Sequence, residues 1–129
     1  MTLAETCILI AAVLPYLWVG VAKFSRGGAG RYDNAAPREY LGRVQGLAAR
    51  AHWAHLNAFE AFAPFAAAVL VAEKAGVAQG TVDTLAIAFI AARIVHGLLY
   101  LANQAMLRSL AWTAGFACVI ALFVAAARV

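Results

Sequence analysis

The 129 residues are 65 % hydrophobic and 12 % charged, with a formal net charge of +4 and a mean hydropathy of +0.81. Ordinary water-soluble domains are about half apolar and about a quarter charged, so this chain lacks the polar residues needed to clothe a soluble globule. With two cysteines and three prolines, the same numbers exclude a disordered chain, a collagen-like repeat and a disulfide scaffold. What remains is a single all-α integral membrane unit over residues 1–129. Thirty-three alanines and ten glycines suit it, because helices in lipid associate through close packing of small residues. Cys7 and Cys118 fall in apolar runs and read as small buried hydrophobes.

A helix rises about 1.5 Å per residue, so crossing about 30 Å of hydrocarbon takes roughly 20 apolar residues. Four runs qualify, at about 3–22, 48–75, 82–102 and 109–127. The first contains Glu5 and Pro15; it lacks a basic leading segment and ends at Lys23, so it reads as a span, not a cleaved signal. Its following loop collects Lys23, Arg26, Arg31, Arg38 and Arg43 against Asp33 and Glu39, and Arg108 is assigned to the third loop. Cations gathered in this way mark cytoplasmic loops better than a nucleic-acid face, so loops one and three are expected in the cytoplasm and both termini outside. In loop one, Gly27-Gly28-Ala29-Gly30 reads as a turn or mobile strap. Tyr40, Leu41, Val44 and Leu47 then recur at helical spacing after Pro37, so helix two is expected to start near residue 37 and project below the membrane. Gly76, Gln79 and Gly80 are the expected breakers between spans two and three.

Polar residues at membrane depth are costly, so they mark a partner or a water-filled cavity. On span two, Arg50, Asn57 and Glu60 lie at i, i+7 and i+10, one stripe of a helix, with His52 and His55 beside it. Pro64 has no amide hydrogen, so the Glu60 carbonyl loses its helical partner. On span three, Arg93, His96, Tyr100 and Asn103 again share one stripe, and antiparallel spans would put Glu60 and Arg93 at similar depth. These residues also have plainer readings. Glu60 and Arg93 can form a structural ion pair, Asn57 can join two helices, His96 can be a packed histidine, and Arg108 can snorkel to the interface. An H-x-x-H pair with no third ligand makes a poor metal site, so none is expected. Trp18, Trp53 and Trp112 read as interfacial or packed aromatics.

The run Arg50-Ala51-His52-Trp53-Ala54-His55-Leu56-Asn57-Ala58-Phe59-Glu60, followed by Pro64-Phe65, resembles the second-span signature of the MAPEG superfamily, the membrane-associated proteins in eicosanoid and glutathione metabolism. Arg93-Ile94-Val95-His96, Tyr100 and Arg108-Ser109 resemble that family's third-span pattern. Glu60-Ala61-Phe62 and Ala66-Ala67-Ala68-Val69-Leu70 are similar to its bacterial branch. The resemblance implies a homotrimer of four-helix subunits in a bacterial inner membrane. Glutathione, as co-substrate, would bind between subunits. Asn57 and Glu60 would come from one subunit and Arg93, His96, Tyr100 and Arg108 from its neighbour, with Arg50 standing in for an arginine nearer the asparagine. Arg108 would stabilise the glutathione thiolate as the catalytic group, and lipophilic small molecules would arrive through the membrane lipids. The function implied is a glutathione-dependent transferase or peroxidase acting on lipophilic electrophiles. The competing expectation is a non-catalytic trimeric membrane protein that binds a small anion, a lipid or a partner protein.

Overall fold

The computed structural model describes all 129 residues. Five helices follow one another: α1 (Leu3–Phe24), α2 (Pro37–Arg43), α3 (Gly46–Ala75), α4 (Gln79–Leu101) and α5 (Ala105–Ala126). All but α2 are long and apolar enough to cross a membrane. Large apolar side chains point outward along them, such as Leu9, Ile10, Val13 and Leu17 on α1 and Leu110, Phe116 and Ile120 on α5. A continuous apolar exterior of this kind is unsustainable in water and ordinary in hydrocarbon.

The long helices run alternately up and down, with α3 and α4 at the centre, α1 packed on one side of that pair and α5 on the other. The antiparallel register of α3 and α4 is visible along their whole length. The Arg50 guanidinium donates to the Leu101 carbonyl at one end, the rings of Phe65 and Phe89 stack at 3.8 Å midway, and Gln79 donates to Glu73 at the other. Helices α1 and α4 are parallel, with Ala4 against Asp83 at one end and Trp18 against Gly97 towards the other.

Spacing explains the α1 seam. Its buried residues Ala4, Cys7, Ala11, Leu14, Trp18 and Ala22 recur three and four apart, and Ala51, Ala54 and Ala58 do the same on α3. That repeat keeps one stripe facing its partner, and alanine lets the backbones close. Gly97 goes further: a Cβ there would overlap the Trp18 indole. At the terminal end, Thr2 caps α1, accepting from the Glu5 amide at 3.0 Å while its own amide donates to Glu5 Oε2 at 2.7 Å. The Thr2 hydroxyl then donates to Glu73 Oε1 at 2.7 Å, and Gln79 bridges Glu73 and Asp83.

Three local expectations are corrected. Residues 37–43 are a separate helix, because Val44 and Gln45 are extended and Gly46, the first residue of α3, takes a φ of 60°. Tyr40, Leu41 and Val44 fold back against Ala22 and Ala48, so this segment packs on the bundle instead of projecting as a stalk. Only Gly76 breaks the chain between α3 and α4, in the left-handed conformation that suits glycine at a helix end; Gln79 and Gly80 already belong to the first turn of α4. Arg108 lies inside α5, which starts at Ala105, and not in the third loop.

Candidate functional site

On the α5 side of the central pair, the packing opens into a cleft of about 140 Å³. Helix α3 supplies Asn57, Glu60, Ala61 and Pro64, α4 supplies Phe89 and Arg93, and α5 supplies Trp112, Phe116 and Val119. Proline at position 64 leaves the Glu60 carbonyl without its intrahelical donor, so α3 carries spare hydrogen-bonding capacity beside the cleft. The floor is polar. Arg93 is 4 % exposed and donates from Nη2 to Asn57 Oδ1 at 2.7 Å, and the Asn57 amide donates to Glu60 Oε2 at 3.4 Å. The order Arg93, Asn57, Glu60 thus passes from a buried cation to an exposed carboxylate. Asn57 uses its carbonyl for the first bond and its NH₂ for the second, which fixes the orientation of the amide. Facing this chain, the Trp112 and Phe116 rings stack at 5.2 Å and form an apolar shelf.

A second group lies nearer the loop ends of α4 and α5. The Arg108 guanidinium sits over the Tyr100 ring at 4.3 Å, and Tyr100 meets His96 edge to face at 5.4 Å. His96 is 3 % exposed and its Nδ1 has no hydrogen-bond partner. Arg108, Trp112 and Phe116 lie at i, i+4 and i+8, so they follow one side of α5, each about 6 Å from the next along the axis. The Arg108 cation therefore stands beyond one end of the shelf, away from the Asn57–Glu60 pair.

The sequence-derived residues are thus sorted by the fold. Asn57, Glu60 and Arg93 come together. His96, Tyr100 and Arg108 form their own cluster. Arg50 joins neither: its Nε and Nη2 both donate to the Leu101 carbonyl at 3.3 Å, which satisfies the end of α4. Glu60 and Arg93 lie at similar depth, yet Asn57 intervenes, and the one ion pair in the chain is Arg43–Glu39 at the surface. Asn57 and Arg93 meet within a single chain. Outside both groups, His55 Nδ1 lies 3.0 Å from the Pro15 carbonyl and must carry the proton there, since a carbonyl only accepts. Sequence reasoning missed Trp112 and Phe116 as cleft residues. Their signal was the i, i+4, i+7 series Trp112, Phe116, Val119 within the run 109–127, which carries no charge.

A deep arginine hydrogen-bonded through an amide to a carboxylate, under an aromatic wall, can hold a zwitterionic polar ligand beside an apolar one. A model described as MAPEG family matches residues 3–128. Neither a curated protein nor a solved structure matches the chain.

Proposed function

This chain belongs to the MAPEG family, and from that premise we propose that it is a glutathione-dependent membrane enzyme acting on lipophilic electrophiles. The observation that carries the reading is the juxtaposition of the Arg93–Asn57–Glu60 chain with the Trp112–Phe116 shelf in one cleft. Glutathione brings two carboxylates and one ammonium, which calls for an excess of cations plus one acid. Arg93, with Arg108 further along, supplies the former, and Glu60 the latter. Asn57 presents the amide that matches a peptide backbone. The buried His96 and the Tyr100 ring lie between the two cations on α4 and α5. An electrophile dissolved in the bilayer reaches the shelf without crossing water.

Arg108 is the thiolate stabiliser in this reading. A free thiol titrates near 8.5, and an adjacent guanidinium favours the thiolate, which is the nucleophile. Arginine keeps its proton and so acts by charge, not as a base. In conjugation the thiolate sulfur bonds to an electrophilic carbon as a leaving group departs with the bonding pair, or as a π bond opens and the adjacent atom takes up a proton. In peroxide reduction two glutathione thiols are oxidised to a disulfide while the O–O bond is cleaved to an alcohol and water. The assembly we propose is a homotrimer in a bacterial inner membrane, with loops one and three cytoplasmic.

The test is calorimetric titration of the detergent-purified protein with glutathione, alongside Glu60→Gln and Arg108→Ala. Saturable binding, weakened by Glu60→Gln, is expected. Arg108→Ala should lower the conjugation rate by roughly 100-fold while changing glutathione affinity far less, the pattern of a group that acts in the transition state. No binding at millimolar glutathione by the folded protein sinks the reading. A second reading then takes over, favoured by the intrachain bonds of Arg93 to Asn57 and of Arg50 to Leu101: a non-catalytic membrane protein whose polar stripes hold helices together and bind a small anion, a lipid or a partner.

A further inference from the structure

Loop one carries a second concavity, remote from the cleft. It has a volume of about 310 Å³ and is formed by Lys23, Phe24, Arg26, Arg31 and Tyr32. We propose that these residues bind a phosphate-bearing anion at the membrane surface, the headgroup of an anionic phospholipid.

Three cations converge on this one hollow, and nothing in the chain neutralises them. Loop one has two acids, and both are engaged elsewhere. Asp33 accepts from the Ala35 amide at 2.9 Å, and Glu39 pairs with Arg43. A preference for cations on one side of a membrane accounts for their presence in a loop but not for their convergence. The hollow is also built in advance. Lys23 Nζ sits 4.6 Å from the centre of the Tyr32 ring, and Tyr32 is wedged between Phe24 and the buried Tyr40, 5.4 Å away. The Tyr40 hydroxyl, 3.3 Å from both the Lys23 and the Gly30 carbonyls, ties the end of α1 to the glycine turn. Arg26 takes a φ of 61°, a conformation that costs free energy for any residue with a Cβ and tends to occur where a side chain is being aimed.

The location selects the ligand's source. Phe24, 78 % exposed, ends the first membrane helix, so an apolar ring projects beside the cations at the level where acyl chains meet headgroups. Guanidinium forks match phosphate oxygens, and the ammonium adds a compact point charge. Together these outweigh the partial negative charge at the C-terminus of α1, which is about half an elementary charge.

The test titrates the detergent-purified full chain with short-chain phosphatidylglycerol or phosphatidylcholine, counts retained lipid by native mass spectrometry, and repeats the series with inorganic phosphate as competitor. Phosphatidylglycerol is expected to be retained in preference to phosphatidylcholine. Each cation near an anionic headgroup is worth roughly fivefold, so Arg26→Gln with Arg31→Gln should reduce that preference by about 25-fold. Lys23→Gln with Arg31→Gln should do the same while leaving the strained residue 26 untouched. Arg38→Gln with Arg43→Gln removes equal charge outside the hollow and should leave retention within about twofold, as salt screening attenuates distant charges. Persistence of the bound lipid in millimolar phosphate supports a lipid headgroup. Retention of phosphate with no preference between the lipids keeps the phosphate site and reassigns its source to the free anion. Equal retention by wild type and both hollow variants, or no retention of either lipid or phosphate, overturns the proposal.

Discussion

The central α3–α4 pair has two faces, and they are finished differently. Towards α1 the contact is a close seam of alanines, with Ala51, Ala54 and Ala58 on α3 set against the three-four repeat of α1 and His55 reaching the Pro15 carbonyl across it. Towards α5 fewer side chains are enclosed: only Gly115, Val119 and Leu122 of that helix are buried, and Trp112 and Phe116 stand out beside a cleft with a polar floor. Small residues without polar atoms let helices close completely, whereas a guanidinium, an amide, a proline and two aromatic rings hold them apart. One side of the pair is built for closure. The other is built for access.

The largest expected effect breaks the closed face. Gly97→Leu places a branched side chain where the Trp18 ring already lies, in a seam with no room to yield. Overpacking of this kind costs about 3 kcal/mol, towards the upper end of the usual range. The apparent melting temperature of the purified protein should therefore fall sharply, and adding Trp18→Ala should recover part of the loss. Melting within error of the wild type would mean that α1 is not seated on α4 as described.

On the open face the strongest single tie is Arg93 to Asn57. Hydrogen bonds to charged groups contribute about 1.5–3 kcal/mol, and removing one buried partner strands the other. A double-mutant cycle of Arg93→Met and Asn57→Leu should therefore give a coupling of about 2 kcal/mol, with the double variant less impaired than the two single losses added together. Additive losses would leave the two residues merely adjacent. Trp112→Ala sharpens the contrast in a different quantity. Trp112 is 42 % exposed, so its removal should change stability by no more than about 1 kcal/mol. In the proposed reaction it should instead raise KM for an apolar electrophile several-fold while leaving glutathione affinity unchanged. An equal effect on both ligands would remove the shelf from the substrate site.

How far the two faces were legible in the amino-acid order differs in the same way. The spans were readable because apolar length is a local property, and α1, α3 and α4 begin and end within three residues of where hydropathy puts them. Asn57, Glu60 and Arg93 were readable as a group because a polar residue in lipid must find company. The intervening position of Asn57 between Arg93 and Glu60 was not, since an i+3 spacing does not say which of two neighbours an arginine reaches. The position of the Arg50 side chain was not legible for a related reason. It shares the helical stripe of Asn57, but its long side chain is captured by a helix end, and helix ends are defined only once α4 has stopped at Leu101. The start of α5 was missed by four residues because the charge of Arg108 cuts the apolar run, although Ala105, Met106 and Leu107 before it are good helix formers. Trp112 looked inert because an aromatic residue on an apolar helix has many possible neighbours, and only packing selects one.

A single hydroxyl pins the closed face at its terminal end. Thr2 satisfies the first turn of α1 and also donates to Glu73 on α3, so one hydroxyl serves both a helix cap and an interhelical tie. Thr2→Ala removes both at once and should cost about 1–2 kcal/mol, since loss of a cap alone is worth about 1. Thr2→Ser keeps the hydroxyl and should restore nearly all of it, while Thr2→Val keeps the shape without the bond and should behave like alanine. Glu73→Gln preserves an acceptor for Thr2 and for Gln79 but weakens both bonds by removing the charge, so its loss should be intermediate. If Thr2→Val instead matches the wild type in thermal unfolding, the terminal network is solvated surface, and the alanine seam alone holds α1 in place.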